Sequence, residues 1–149
     1  MRTKTGLRPC SILVAVSLLA WSGTGLSAQE VTVTVRDAWV RVPAPSKDET
    51  ALYLVIENHG AAPRRIVGAS SDAAERLEMH EMKMEKMMMR MTQVAEIPVP
   101  AKGKTSLNPN GLHIMLYRFK SRPAVGDSVN VTLRLDDGTM LPVVAIVRK

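Results

Sequence analysis

The chain has 149 residues, a formal net charge of +6 and one cysteine, yet its first 28 residues hold that cysteine and three of the 20 basic side chains without a single acid. Setting that segment aside leaves 121 residues with 17 basic and 14 acidic side chains, an ordinary balance that fits one compact domain and excludes a multidomain enzyme. Basic residues are scattered rather than interleaved with aromatics, which make up only 3% of the chain, so the footprint of a nucleic-acid binder is missing.

The opening segment has the layout of a secretory signal: Arg2, Lys4 and Arg8, an apolar run from Ser11 to Trp21, then small residues ending in Leu26-Ser27-Ala28. Cleavage is expected after Ala28, leaving residues 29–149 as a single domain. The apolar run is about ten residues, shorter than the roughly 20 that span a bilayer, and no later stretch is longer. Cys10 precedes the run and is not expected to be a lipid attachment site. Without Cys10 the domain has no disulfide, no Cys-ligated zinc and no thiol nucleophile, so its stability must come from its core.

Beyond the leader, short alternating or β-branched runs recur between turn signals. Strands are expected at residues 31–35, 51–56, 65–69, 76–84, 87–94, 104–107, 112–119, 128–135 and 140–147. Pro43, Pro45, Pro98, Pro100, Asn108-Pro109-Asn110-Gly111 and Asp136-Asp137-Gly138 punctuate them at the interval of a β-sandwich or barrel. The last two strands alternate cleanly through Val129, Val131 and Leu133, and through Leu141, Val143, Ala145 and Val147, so each should bury one face. Ser71 to Leu77 is expected to form at most one helical turn capped by Ser71 or Asp72. Trp39 is expected in the core just after the first strand.

Seven of the ten methionines fall in the thirteen residues from Met79 to Met91. Methionine commonly fills irregular core gaps, but Lys83, Glu85, Lys86 and Arg90 interrupt this run, which points to a polar, exposed hairpin. In a strand, side chains i and i+2 share a face, grouping His80, Met82 and Met84, and likewise Met87, Met89 and Met91. A turn at Glu85-Lys86 sets His80 opposite Met91, whereas one at Lys86-Met87 sets Met82 opposite Met91 with His80 diagonal to it. Both registers place these groups on one face, whereas a three-residue loop would break that parity, and with neither dipeptide a favoured hairpin turn the register stays open. Downstream, His113 and Met115 share a face of the 112–119 strand. Thioether is soft and uncharged and selects Cu(I) over hard or borderline cations, so two His with two Met indicate Cu(I). His59, in the Asn58-His59-Gly60 turn, reads as a solvated loop side chain.

His80, ten intervening residues, Met91, twenty-one more, then His113-x-Met115 resembles the motif of the periplasmic copper chaperones called PCu(A)C. The resemblance extends over Ala51-Leu52-Tyr53-Leu54, Val67-Gly68-Ala69-Ser70-Ser71, Glu78-Met79-His80-Glu81-Met82 and the final strands. It implies a cupredoxin-like Greek-key β-sandwich or barrel of eight to nine strands, an all-β fold. It further implies a periplasmic, non-enzymatic carrier, expected to be a monomer, whose ligands to one Cu(I) are His80, Met91, His113 and Met115. Recipients of the ion would be the CuA centre of cytochrome c oxidase subunit II or a thioredoxin-like assembly factor. Met82, Met84 and Met89, shared with many relatives, are auxiliary copper contacts by the same resemblance. Asp-Gly is frequent in the family where this chain has Lys86-Met87. Two rival readings remain: a copper-tolerance or storage protein sequestering ions on the wider methionine cluster, and a metal-free interaction module with an adaptable methionine surface.

Overall fold

A computed structural model describes residues 32–149; the expected leader and its cleavage point lie outside the described residues. The fold is all-β, with ten strands: β1 (Val33–Arg41), β2 (Glu49–Asn58), β3 (Arg64–Ser71), β4 (Ala74–Glu85), β5 (Met88–Gln93), β6 (Ile97–Val99), β7 (Gly103–Leu107), β8 (Leu112–Phe119), β9 (Ser128–Leu135) and β10 (Met140–Arg148). They form one hydrogen-bonded path in the order β5-β4-β8-β2-β1-β10-β9-β3-β6, with β7 also paired to β2. All neighbours are antiparallel except β1 and β10, which run parallel through Trp39 to Arg41.

The two halves of the path share one main core. Leu52, Leu54 and Ile56 of β2, Ile114 and Leu116 of β8 and Met79 of β4 pack in the same cluster as Val129, Val131, Leu133 and Leu135 of β9 and Val143, Ala145 and Val147 of β10. The alternation expected in the closing strands is present, with every second residue of β9 and β10 turned inward.

Two strands near the middle of the path are buried without alternation. Thr50 to Leu54 in β2 and His113 to Leu116 in β8 are buried in unbroken runs because both faces are covered. The inner face joins the main core, while Ala51, Tyr53 and Met115 form a second, smaller cluster on the outer face with Trp39 and Tyr117. A bulge in β1 supplies Trp39 to that outer cluster. Val33 and Val35 point inward at odd positions, but after the register shift between Arg36 and Trp39 the inward residues are Ala38, Val40 and Val42. Asp37 takes the extra position at φ 53°, a conformation aspartate tolerates better than most residues. Trp39 is thereby turned outward, opposite Tyr53, rather than into the main core as its sequence position suggested.

Two further expectations change. No helical turn forms at residues 71–77: the Ser71 hydroxyl accepts from the Ala73 amide at 3.2 Å and donates to the Asn130 carbonyl at 2.6 Å, and the chain enters β4 at Ala74. The tenth strand, β6, contains Pro98, which had read as punctuation. It is three residues long and pairs only with β3, an edge position where a missing amide hydrogen is tolerated.

Candidate metal centre

The β4–β5 hairpin turns at Lys86-Met87, both at positive φ (48° and 64°), the hallmark of a type I′ turn that asparagine and glycine adopt more readily. Its register pairs Met82 with Met91, Met84 with Met89 and His80 with Gln93, so Met91 lies diagonal to His80. This is the second of the two registers that a two-residue turn allows. On its other side β4 pairs with β8, setting His80 directly opposite His113 and Glu78 opposite Met115. Strand parity therefore brings His80, Met91, His113 and Met115 onto one outer face of three adjacent strands, together with Met82, Met84 and Met89.

The two imidazoles sit with ring centroids 5.9 Å apart. An imidazole nitrogen bonds a metal at about 2.0 Å, placing a ring centroid roughly 3 Å from the ion, so the observed spacing suits one ion between two rings. Each ring has one nitrogen already committed. His80 Nε2 donates to the Glu78 carboxylate at 3.1 Å, and Nδ1 is buried with no hydrogen-bond partner. His113 Nδ1 donates to the Gly111 carbonyl at 3.0 Å, leaving Nε2 as the acceptor nitrogen. A ring whose N–H is tied to a carboxylate or carbonyl presents its other lone pair, the usual disposition of a metal-ligating histidine. Burial, and to a lesser degree the His80 ring, holds the His113 imidazole below its ordinary pKa despite the opposing effect of the Gly111 hydrogen bond. Neutral imidazole is the form that ligates.

Glu78 is itself positioned. Arg76 Nε forms an ion pair with its other oxygen at 3.2 Å, and the Arg76 guanidinium lies 4.6 Å from the Tyr117 ring centroid. Tyr53 and Tyr117 flank the two imidazoles at 6.3 and 6.5 Å, with Trp39 behind Tyr53 at 4.5 Å. This apolar wall keeps water from one side of the histidine pair. Beside it, a shallow cavity of about 370 Å³ is lined by Met82, His113, Met115, Tyr53 and Pro109, among others.

Of the four expected ligands only Met91 is exposed, at 50%. His80, His113 and Met115 are 7%, 4% and 8% exposed, because β2 and β1 extend the outer face with large aromatic side chains. Met82 is half-buried and lines the same cavity as His113 and Met115. His59 lies at the far end of β2, bonded to Thr34 Oγ1 at 3.0 Å. Glu78 is the residue against the histidine pair that the motif alone did not single out; its position two residues before His80 on the same strand was the available signal. Among the described residues no three His, Cys, Asp or Glu side chains cluster as a metal site. The donors that fit a metal here are two imidazoles with thioethers, a set suited to a soft monovalent ion.

Residues 33–147 match the family described as "Putative lipoprotein LpqE-like". The chain belongs to the LpqE-like family. A curated relative, "Putative lipoprotein Lxx21020" of Leifsonia xyli subsp. xyli (strain CTCB07), is 34% identical over 117 residues, covering 78% of this chain and 69% of the relative. Among solved structures, apo-DR1885 from Deinococcus radiodurans is similar at 32% identity and a TM-score of 0.62, covering 98% of this chain and 97% of that one. The Cu(I) form, CuI-DR1885, aligns at 35% identity and a TM-score of 0.61 over 83% of each chain. The copper-bound PCuAC domain from PmoF2 shares the fold of this LpqE-like chain, with a TM-score of 0.67 at 20% identity over 78% of this chain and 92% of that domain.

Proposed function

We propose that this LpqE-like protein is an exported, non-enzymatic Cu(I) carrier that holds one ion through His80, His113, Met115 and Met91 and passes it on in the periplasm. One observation carries the reading: two buried imidazoles face each other across β4 and β8, each with one nitrogen tied by a hydrogen bond and the other free, beside the buried thioether of Met115. The similarity to the Cu(I) form of DR1885 supports it.

Four neutral donors bring no anionic charge to compensate a divalent ion, and two of them are thioethers, so the site favours Cu(I) over Zn(II). Holding the ion without thiolate also makes the transfer direction chemically simple. A recipient offering cysteine thiolates outcompetes the thioethers, as expected for delivery to the CuA centre of cytochrome c oxidase subunit II or a thioredoxin-like assembly factor. The Tyr53, Tyr117 and Trp39 wall excludes water from the inner side, while Met91 keeps one ligand at the surface where a recipient can displace it.

Anaerobic Cu(I) titration against a competing chelator tests the carrier reading. One tight equivalent, lost on replacing His113 and insensitive to excess Zn(II), supports it. Several equivalents of equal affinity would favour storage on the methionine hairpin, whose Met84, Met87, Met88, Met89 and Met91 are all exposed. No tight equivalent, with partner binding independent of copper, would favour the metal-free module.

A further inference from the structure

The methionines of the β4–β5 hairpin are arranged more specifically than a soft surface requires. Met84 and Met89 are 66% and 45% exposed and contribute nothing to either apolar cluster, so packing does not account for them. Their register sets them directly opposite one another, with Met82 and Met91 forming the next pair on the same face. Directly opposed residues have Cβ atoms about 4.5–5.5 Å apart, and methionine's flexible three-bond stem lets two such thioethers converge on one ion. Successive pairs are two residues apart, about 7 Å along the strand.

Charge is kept off this end of the face. Between the two methionine pairs, Lys83 and Arg90 are opposite each other on the reverse face, where they pair with Glu81 at 2.8 Å and Glu85 at 3.6 Å. Glu81 and Glu85 are therefore engaged on the reverse face, and between these four methionines the ladder offers thioether sulfur alone. Hard cations find no oxygen donor there, whereas a soft monovalent ion finds two pairs of neutral sulfurs.

We propose that Met84 and Met89 form a separate outer site for a soft monovalent metal ion, one step beyond Met82 and Met91, through which Cu(I) enters and leaves the His80–His113 centre. The outer site rests on strand register and exposure; its role as an entry point rests on the carrier reading above. With two thioethers and no imidazole it binds more weakly than the inner centre and fills after it. An ion moves by exchanging one thioether for the next along the ladder, with no change of oxidation state and no proton to displace.

The test is a titration of the purified protein, carrying methionines labelled with ¹³C at the ε-methyl, with Ag(I) nitrate in chloride-free buffer, Ag(I) serving as a redox-inert stand-in for Cu(I). The first equivalent is expected to shift the Met91 and Met115 methyls, and the second to shift Met84 and Met89 together, with Met88 and Met140 unmoved. The double variant M84L/M89L, which replaces two exposed side chains, should lose the second step, keep first-site affinity within about twofold, and slow Cu(I) withdrawal by a competing chelator about tenfold. If Met84 and Met89 respond no more than Met88, or if M84L/M89L exchanges Cu(I) at the unaltered rate, the outer entry site is overturned while the inner centre stands. If Met84 and Met89 respond but Met115 never does, the outer site stands and the carrier reading fails.

Discussion

Two hairpins of this sheet are built for different ends. In β9–β10 every second side chain enters the core, and the turn at Asp136-Asp137-Gly138 places glycine where φ is 85°. In β4–β5 every residue of β5 is exposed, and the turn forces Lys86 and Met87 to positive φ. The first is held by the apolar area it removes from water, roughly 25 cal/mol per Å². The second is held only through β4, whose Met79 and Ala74 enter the core while β5 rides on its edge. Removing a side chain should therefore damage the fold in one hairpin and the chemistry in the other.

The largest expected effect lies in the closing hairpin. Leu133→Ala empties a fully buried position and should cost about 2–5 kcal/mol in denaturant unfolding. Cu(I) affinity of the remaining folded protein should not change, since Leu133 faces away from the histidine pair. An exposed methionine such as Met88, truncated to Ala, should shift stability by less than about 0.5 kcal/mol. Equal costs in the two hairpins would mean that β5 is packed in solution in a way its exposure denies.

His113→Ala should weaken Cu(I) binding at least about 100-fold, equivalent to roughly 2.7 kcal/mol, whereas His59→Ala should leave it within twofold. Competition titration of the two variants decides this. Because His113 is 4% exposed, its loss will also lower thermal stability, so the comparison is made on protein shown to be folded by circular dichroism. Similar affinities for both variants would remove His113 from the centre.

Glu78→Gln probes how much of the site is orientation. The amide keeps the size of the side chain and its ability to accept from His80 Nε2, but it loses the carboxylate charge and with it the ion pair to Arg76. Support of this kind is typically worth 10- to 100-fold in metal affinity, so a drop near tenfold is expected. Arg76→Lys should fall between the wild type and Glu78→Gln. An unchanged affinity in Glu78→Gln would show that the His80 ring is oriented by packing against Tyr117 instead.

What could be read from sequence follows from how local each determinant is. β9 and β10 were legible because alternation is a property of neighbouring residues. β6 was not, because three residues around Pro98 carry no period, and the second half of β1 was obscured because the bulge at Asp37 reverses which parity faces inward. The sharing of a face by His80 and Met91 was legible for either two-residue turn, but the register was open because only the turn decides it. The direct apposition of His80 and His113 depends on β4 pairing with β8, strands separated by three others in the chain, which no local pattern specifies. The aromatic wall was hidden for the same reason: Trp39, Tyr53 and Tyr117 come from β1, β2 and β8 and meet only once the sheet forms.

The smallest expected effect tests that turn. Lys86 and Met87 both occupy the left-handed region, where an ordinary L-residue is disfavoured by roughly 1–2 kcal/mol and Asn or Gly much less. Glycine also adds freedom to the unfolded chain, which offsets part of the gain. The double change Lys86→Asn with Met87→Gly should therefore stabilise the protein by about 1 kcal/mol, read as a rise in the denaturant midpoint at constant slope. Cu(I) affinity should stay within twofold, because the Met82–Met91 register is already the one such a turn favours. A gain in affinity along with stability would mean that the native turn lets the hairpin slip between registers, so that Met91 spends part of its time off the face it shares with His80. A loss of stability would mean that the hairpin closes through a different turn, and the opposition of Met84 to Met89 would fall with it.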